Sequence, residues 1–272
     1  GCLEDALRIL SGFREHLEGA GVSFSAMQAA LDWLTERDGI CGYLGGRYVK
    51  ARNGEQDEYA PFRPSTWRKL LERGGFTVLN HHAAQQDVRV SVTDPQLDAR
   101  INLLGLLSLL EGARRGGVQR VVFASSGGVV YGEACEPPHT ETAPKLPVSP
   151  YGVSKLASEY YLTAYAQLYG LEVVSLRYSN VYGPRQNPHG EAGVVAIFAE
   201  RVGRGRALTV YGDGAQTRDY VYVGDVSRAN LAATTWRVPV IDSIDAVAFN
   251  IATQSETSVN TLASMMIDAA GA

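Results

Sequence analysis

A tyrosine and a lysine four residues apart, Tyr151 and Lys155, have the types and the spacing of an acid/base pair. Residues four apart lie one above the other on a helix. An ammonium beside a phenol favours the phenolate, so we expect Lys155 to lower the pKa of Tyr151 toward working pH. Tyr151 is therefore a candidate general acid/base.

Two serines could complete this site. Ser125 and Ser126 follow the apolar run at 120–124, which is typical of a buried strand. Ser149 and Pro150 predict the start of a helix just before Tyr151. A hydroxyl, a phenol and an ammonium could therefore meet at one edge of a sheet. Many helices carry a tyrosine and a lysine at this spacing by chance, so the surrounding chain must support the site.

Strands and helices alternate along the chain after residue 74. The predicted strands are 76–80, 120–125, 172–177, 207–211, 219–223 and 247–251, and the predicted helices are 95–116, 150–169, 194–202, 226–236 and 259–270. Continuous apolar strands between helices indicate an α/β fold whose parallel sheet is covered on both faces. Ligands of such sheets bind beyond the carboxyl ends of the strands. Ser125 and Ser126 lie at one of these ends, and Tyr178, Ser179 and Asn180 lie at another.

The first 74 residues have a different pattern. Residues 3–17 and 25–35 are predicted as amphipathic helices, 52–64 as a polar loop, and 67–73 as a short helix ended by Gly74 and Gly75. Gly39, Gly42 and Gly45 have the spacing of a phosphate-binding turn. Residues 31–38 read as helix rather than as the buried strand that such a turn requires, so we interpret this match as chance.

Composition excludes several function classes. The 272-residue chain has 45% hydrophobic residues and a net charge of −4, which does not suggest nucleic-acid or membrane-surface binding. We see no apolar run long enough to span a bilayer and no signal peptide. Cys2, Cys41 and Cys135 lack metal-ligand spacing and are expected to be free thiols in a reducing cytoplasm. We expect no metal at His81 and His82.

Six motifs in a fixed order carry a resemblance to a known family. They are NHHAAQ at 80–85, NLLG at 102–105, VVFASS at 121–126 followed by VYG at 130–132, SPYGVSK at 149–155, LRYSNVYGPR at 176–185 and YGDGAQTRDYVYV at 211–223. The chain from about Phe76 onward resembles the extended short-chain dehydrogenase/reductase family in its NAD-dependent nucleotide-sugar epimerase/dehydratase branch. Within that branch it is most similar to the UDP-glucose 4-epimerases.

The resemblance implies a Rossmann-like, doubly wound parallel sheet with a smaller C-terminal substrate-binding part. Residues 75–180 would be the NAD-binding and catalytic core. Residues 181–272 would be the substrate-binding part, interleaved with the last core strands and truncated at the C-terminus. Residues 1–74 would be an atypical, mainly helical segment, because the N-terminal βαβ half of the family fold is atypical or missing.

The resemblance also implies roles for individual residues. Tyr151 would be the acid/base, Lys155 would activate it and hold the NAD ribose, and Ser126, or alternatively Ser125, would bind the reacting sugar oxygen. Tyr178 would contact the nicotinamide. The remaining NAD-binding residues would be Ala83, Ala84, Gln85, Asn102 and Ser125, and the nucleotide-sugar ligands would be Asn180 and Arg218.

The implied reaction oxidises the C4 hydroxyl of a UDP-sugar or another nucleotide sugar with NAD and returns hydride to the other face. Gly127 and Gly128 stand where the dehydratase relatives have an acidic pair, which favours an epimerase over a 4,6-dehydratase. A dehydratase or reductase of the same family stays open as an alternative. So does a cofactor-free relative acting as a binding protein. We expect a cytoplasmic homodimer.

Overall fold

The structure, a computed structural model, describes residues 41–44, 47–50, 64–133, 136–184, 186, 188 and 193–271. The chain divides into two compact units, 1–63 and 64–272. In the first unit, β1 (Cys41–Leu44) and β2 (Arg47–Lys50) form an antiparallel hairpin. Gly42 therefore lies in an antiparallel strand, not in a strand–turn–helix phosphate loop. The predicted helices at 3–17 and 25–35 and the loop before residue 64 lie outside the described residues.

A four-stranded parallel sheet forms the centre of the second unit. Its strands are β3 (Val78–His81), β4 (Arg120–Ser126), β5 (Glu172–Tyr178) and β8 (Ala248–Ile251), in the order β3-β4-β5-β8. Val78 pairs with Arg120, and Ser126 pairs with Tyr178. The register therefore places Ser126 and Tyr178 side by side at the carboxyl edge. The parallel α/β architecture predicted from the sequence is confirmed.

Helices connect these strands. Their bounds are α1 (Pro64–Glu72), α2 (Val88–Thr93), α3 (Pro95–Ala99), α4 (Gly105–Gly116), α5 (Gly127–Val130), α6 (Pro150–Tyr169), α7 (Val194–Gly203), α8 (Val223–Thr235) and α9 (Val259–Ala270). A π-helical turn, Arg100–Leu104, joins α3 to α4. The single helix predicted at 95–116 is thus continuous but carries a π-helical turn beside the site, and a short 3₁₀ helix, Ile244–Val247, precedes β8.

The two faces of the sheet bury different side chains because successive residues of a strand point to opposite faces. On one face, Val121 and Val173 pack with Leu106 and Leu110 of α4 and with Leu162 of α6. The opposite face is formed by Val122, Val174, Leu176 and Ala233. The sheet is therefore buried on both sides, as the continuous apolar strands predict.

A second, smaller sheet continues from the end of β5. Its strands are β6 (Asn180–Tyr182), β7 (Thr217–Tyr222) and β9 (Glu256–Ser258), in the order β6-β7-β9. β6 runs parallel to β7, and Asn180 pairs with Tyr220. This sheet holds Asn180 and Arg218 on neighbouring strands.

The strand predicted at 207–211 is wrong, since these residues have no regular secondary structure. Leu208 and Val210, on either side of Thr209, pack against a cluster around Phe198 of α7 and Leu262 of α9. Arg201 binds the Ala207 carbonyl oxygen at 3.0 Å. The apolar residues of this segment therefore contact helices and do not belong to a paired strand.

Helix α6, which carries Tyr151 and Lys155, begins and ends where its capping residues predict. The Ser149 hydroxyl accepts a hydrogen bond from the Gly152 amide at 3.1 Å, and Pro150 occupies the first helical position. Gly170 ends the helix with φ of 69°, a left-handed conformation that glycine adopts without strain. These caps fix Tyr151 and Lys155 in the first two turns. Among the described residues, no helix is long and apolar enough to cross a membrane.

Candidate active site

Tyr151 and Ser126 form the centre of the site. Ser126 is the last residue of β4, and its hydroxyl lies close enough to the Tyr151 phenol to lower the pKa of the tyrosine as a hydrogen-bond donor. Ser125 is buried instead and donates to Glu159 Oε1 at 2.5 Å. The bond to Glu159 keeps Ser125 on the face of β4 that packs against α6, and Ser126, the next residue, lies at the end of the strand beside Tyr151.

Lys155 lies beneath this pair and is almost fully buried. Its Nζ donates to the Ala124 carbonyl oxygen at 2.9 Å and lies 5.7 Å from the centre of the Tyr151 ring. The Phe123 ring centre is 4.8 Å away. Burial lowers the pKa of Lys155 to about 8, although the Asp98 and Glu159 carboxylates act in the opposite direction.

The expectation that Lys155 lowers the pKa of Tyr151 is wrong in this structure. Burial raises the pKa of Tyr151 to about 12, the Asp98 carboxylate raises it further, and only the hydrogen bond from Ser126 opposes them. The lysine ammonium is aimed at the Ala124 carbonyl oxygen rather than at the phenol oxygen. The tyrosine is therefore protonated and can act as an acid; formation of the phenolate requires additional positive charge.

The segment after β3 is held by Asn102 and Asp98. Asn102 Oδ1 accepts from the Gln85 amide, and its Nδ2 donates to the Gln85 carbonyl oxygen, both at 2.9 Å. The fully buried Asp98 carboxylate accepts from Asn102 at 2.9 Å, from Gln85 at 3.1 Å and from Ser154 at 2.5 Å. This network fixes the backbone that carries Ala83 and Ala84, both half-buried, at the carboxyl end of the sheet.

Tyr178 belongs to a second polar group at the same edge. Its hydroxyl accepts a hydrogen bond from Asn230 Nδ2 at 2.7 Å, and Asn230 Oδ1 lies 2.9 Å from His82 Nε2. The His82 and Tyr178 rings are 6.0 Å apart. Burial raises the pKa of Tyr178 to about 12, so it is a neutral hydroxyl in this structure. Asn230 of α8 thus connects the ends of β3 and β5.

Asn180 and Arg218 lie on the smaller sheet and are exposed. Asn180 Nδ2 donates to the Asp219 carbonyl oxygen at 3.1 Å, and Arg218 Nη1 donates to the Thr217 carbonyl oxygen at 2.7 Å. Within the described part of the chain, Arg218 forms no ion pair with a carboxylate and no hydrogen bond with Tyr151 or Lys155. Its side chain is therefore exposed on the smaller sheet.

Three residues of the site were not singled out from the sequence: Asp98, Glu159 and Asn230. Asp98 lies four residues before Asn102, and Glu159 lies four residues after Lys155. Helical spacing puts each carboxylate on the same face as a predicted site residue, so this spacing was the available signal. Asn230 carries no comparable signal, because its partners are far away in sequence.

The residues present fit the nicotinamide and ribose end of NAD. A buried lysine, a neutral phenol and a fixed backbone segment converge at the carboxyl edge of a parallel sheet, where nucleotides bind in such folds. A pyrophosphate would instead need a glycine-rich turn at a helix N-terminus. The described residues contain no such turn in the second unit.

Comparison with known proteins identifies the family. The model of the NAD dependent epimerase/dehydratase family matches residues 50–251. A putative UDP-glucose 4-epimerase from Methanocaldococcus jannaschii is 49% identical over 185 residues, which are 68% of this chain and 58% of that protein. The UDP-glucose 4-epimerase of Mycolicibacterium smegmatis is 46% identical over 195 residues, covering 72% of this chain and 60% of that protein.

A solved structure shows the same likeness. The Thermotoga maritima UDP-glucose 4-epimerase, crystallised with UDP-glucose, superposes with a TM-score of 0.71 at 42% identity and covers 76% of this chain and 65% of that one. The chain belongs to the NAD-dependent epimerase/dehydratase family, whose members have a Rossmann-like fold. It spans about 58–60% of the length of the curated relatives it matches.

Proposed function

We propose that this chain carries the catalytic part of an NAD-dependent nucleotide-sugar 4-epimerase. The observation that carries the proposal is the Tyr151 phenol, which lies beside the Ser126 hydroxyl and above a buried Lys155 at the carboxyl edge of the sheet. A general acid/base, a hydroxyl donor and a buried cation are the groups that proton transfer at a sugar hydroxyl requires.

In this proposal, Tyr151 exchanges a proton with the C4 hydroxyl of the sugar, and Ser126 binds the same oxygen. NAD, when bound, supplies the hydride acceptor and a positive charge on its oxidised ring. Positive charge from any source favours the phenolate, and Lys155 adds to it while protonated. Lys155 and Tyr178 would hold the ribose and nicotinamide, and the segment at Ala83–Gln85, fixed by Asn102, would lie beneath them.

The nucleotide part of the substrate would bind on the smaller sheet. Arg218 presents an exposed guanidinium whose forked geometry suits a pyrophosphate. Asn180 lies on the neighbouring strand, two residues beyond Tyr178. We therefore assign substrate binding to the part after residue 181 and the redox site to 75–180, with a UDP-sugar as the substrate.

Epimerisation is favoured over 4,6-dehydration because the serine is followed by Gly127 and Gly128, which begin α5. Elimination of water needs an acid or base at this position, and glycine supplies neither. Product analysis separates the two reactions, since a dehydratase releases a 4-keto-6-deoxy sugar.

A cofactor-free binding protein is the second candidate. The observation that favours it is the hairpin β1–β2, which occupies the glycine-containing segment around Gly42. The two candidates differ in a direct measurement: an epimerase gains thermal stability with NAD, by mass action on the folded state, whereas the binding protein does not.

We also propose that the molecule is a homodimer built on α6. This helix exposes an apolar stripe at helical spacing, formed by Val153, Tyr160, Tyr161 and Leu168. Leu104 of the adjacent π-helical turn is 60% exposed and extends the patch. Contiguous exposed apolar surface of this kind marks protein interfaces.

Tyr151→Phe tests the proposed reaction. Loss of the hydroxyl should lower kcat for interconversion of UDP-glucose and UDP-galactose by about 10²–10⁴-fold, the usual contribution of a general acid/base. Tyr161→Phe on the exposed side of the same helix is the matched control and should keep wild-type activity. Full activity in Tyr151→Phe would refute the assigned role.

A further inference from the structure

A fully buried ion pair lies directly behind the proposed site. Arg177 of β5 and Glu159 of α6 have side chains that are 0% and 1% exposed, with Nη2 and Oε2 2.6 Å apart. The Arg177 Nε also binds both Glu159 oxygens, at 3.1 and 3.2 Å. These bonds from the Arg177 guanidinium restrict the Glu159 carboxylate to a single orientation.

Arg177 also forms hydrogen bonds with groups other than Glu159. It donates to Tyr131 Oη at 3.0 Å, to the Glu141 carbonyl oxygen at 2.9 Å and to Asp245 Oδ1 at 2.9 Å. These partners come from three separate segments of the chain. The arginine therefore cannot turn without disturbing them, and the position of Glu159 is fixed.

Glu159 reaches the site through two neighbours. Its Oε1 accepts a hydrogen bond from the Ser125 hydroxyl at 2.5 Å, which holds the Ser125 side chain in the interior. The next residue, Ser126, then lies beside Tyr151. Lys155 lies one helical turn before Glu159 on α6. A carboxylate and an ammonium at this spacing attract each other, most strongly where both are buried.

We infer that Glu159 is a positioning residue of the active site: clamped by Arg177, it holds Ser125 so that Ser126 alone faces Tyr151, and it places a fixed negative charge beside Lys155. This inference rests on the proposed function for its catalytic consequence only. Its electrostatic and structural parts concern the chain without substrate or cofactor.

Several groups face Lys155 and share control of its charge. They are Asp98 of α3, Glu159 and Tyr151 of α6, and His81 and His82 at the end of β3. Only the two carboxylates favour the ammonium. Removing the charge of Glu159 should therefore lower the pKa of Lys155, with Asp98 left as the remaining anion.

The first test is an NMR titration of the ε-carbons after lysine-specific ¹³C labelling. The chain has only four lysines, Lys50, Lys69, Lys145 and Lys155, and loss of one signal in Lys155→Met assigns the last. In Glu159→Gln the Lys155 midpoint should fall by about one pH unit from its value near 8, a shift typical of losing a nearby opposite charge.

The matched control is Glu172→Gln. Glu172 forms an ion pair with Arg120 at 2.5 Å, but at the opposite end of β5. This variant also removes one carboxylate from an ion pair with an arginine, but away from the site, and the Lys155 midpoint should stay at its wild-type value. An equal shift in both variants, or no shift in Glu159→Gln, would overturn the electrostatic part of the inference.

The second test concerns the serines and uses Ser125→Ala, which keeps every charge in place. The Tyr151 ¹³Cζ resonance, assigned by its absence in Tyr151→Phe, should shift because Ser126 loses its fixed orientation. The kcat should fall about tenfold at unchanged KM, as expected for misplacement of a reacting group. Ser125→Thr, which retains the hydroxyl, should restore both.

The outcomes separate the two hypotheses. If the wild-type chain converts no UDP-sugar, the proposed function fails, while the Lys155 and Tyr151 resonances still decide the role of Glu159. If Glu159→Gln does not fold, Ser125→Ala still tests whether Ser125 positions Ser126, because this variant preserves the ion pair between Arg177 and Glu159. An unshifted Tyr151 resonance in Ser125→Ala refutes that part whatever the activity.

Discussion

At the scale of single residues, burial dominates the charge states of the site. It lowers the pKa of Lys155 to about 8 and of His81 to about 3, and raises that of Tyr151 to about 12. In each case the charged form loses hydration that the neighbouring groups do not replace. The site is therefore less charged than its residue types suggest, and added positive charge has a large effect on it.

The buried His81 predicts that the folded protein loses stability in acid. Its pKa in the folded chain, about 3, lies below the ordinary 6.5, so between these values the unfolded chain binds a proton that the folded chain does not. The free energy of unfolding should therefore fall as pH falls through this window, by on the order of 4 kcal/mol for this residue. Urea unfolding at pH 7 and pH 3 measures it.

His81→Gln is the control for that measurement. A neutral amide does not titrate, so the variant should lose less stability than the wild type on acidification, whatever its stability at pH 7. Equal losses in the two proteins would show that His81 is not the residue responsible.

Residue types and spacing predicted part of the site. Tyr151, Lys155 and Ser126 do converge, because capping and strand-end signals place them locally. The pKa of Tyr151 and the commitment of Ser125 to Glu159 could not be predicted, since both depend on burial and on partners more than 25 residues away in sequence. Desolvation is a property of the packed molecule, not of a motif.

At the scale of elements, close packing of α1 on α4 relies on glycine. A Cβ at Gly116, the last residue of α4, would lie 1.8 Å from the Leu71 carbonyl oxygen. Gly112, one turn earlier, is similarly close to the Arg68 backbone, at 2.8 Å. The helices can approach this closely only because neither position carries a side chain.

Gly116→Ala should therefore destabilise the protein although alanine is the better helix former. Displacing α1 should lower the free energy of unfolding by about 2–3 kcal/mol, the range for overpacking. Thermal and urea unfolding measure the change. Gly203→Ala at the end of α7 is the control, because a Cβ there meets no atom within 4 Å; it should be neutral or slightly stabilising.

The helix α6, which has strong end signals, was predicted well, and the strand predicted at 207–211 was not. Ser149, Pro150 and Gly170 define α6 to the residue because their effects are local. Leu208 and Val210 have the alternation of a strand, but a strand also needs a partner, and their apolar sides are covered by α7 and α9 instead. Local pattern fixes which side is buried, not what buries it.

At the scale of the whole molecule, the alternation of apolar strands and helices was sufficient to predict a parallel sheet buried on both faces. The strand order β3-β4-β5-β8 brings Ser126, Tyr178 and the end of β3 to one edge. The smaller sheet then places Asn180 and Arg218 beyond that edge. The network around Arg177, which joins four segments, could not be inferred, because it arises only when these segments pack together.

The apolar stripe on α6 predicts that the whole molecule forms a dimer. Val153 is 51% and Tyr160 59% exposed, on the outer side of the helix whose inner side carries Lys155. A second copy related by a twofold axis would bury the same stripe on both protomers, the commonest closed arrangement. Sedimentation velocity should therefore give twice the protomer mass for the wild type.

Val153→Glu combined with Tyr160→Glu should shift the sedimenting species to a monomer, because each carboxylate would be buried without a partner in the interface. Leu231→Glu is the control: it introduces one carboxylate on α8, at a leucine that is 51% exposed, as Val153 is on α6. That control should remain a dimer. A wild type that sediments as a monomer at micromolar concentration would contradict the assignment, and dissociation by Leu231→Glu would move the interface from α6 to α8.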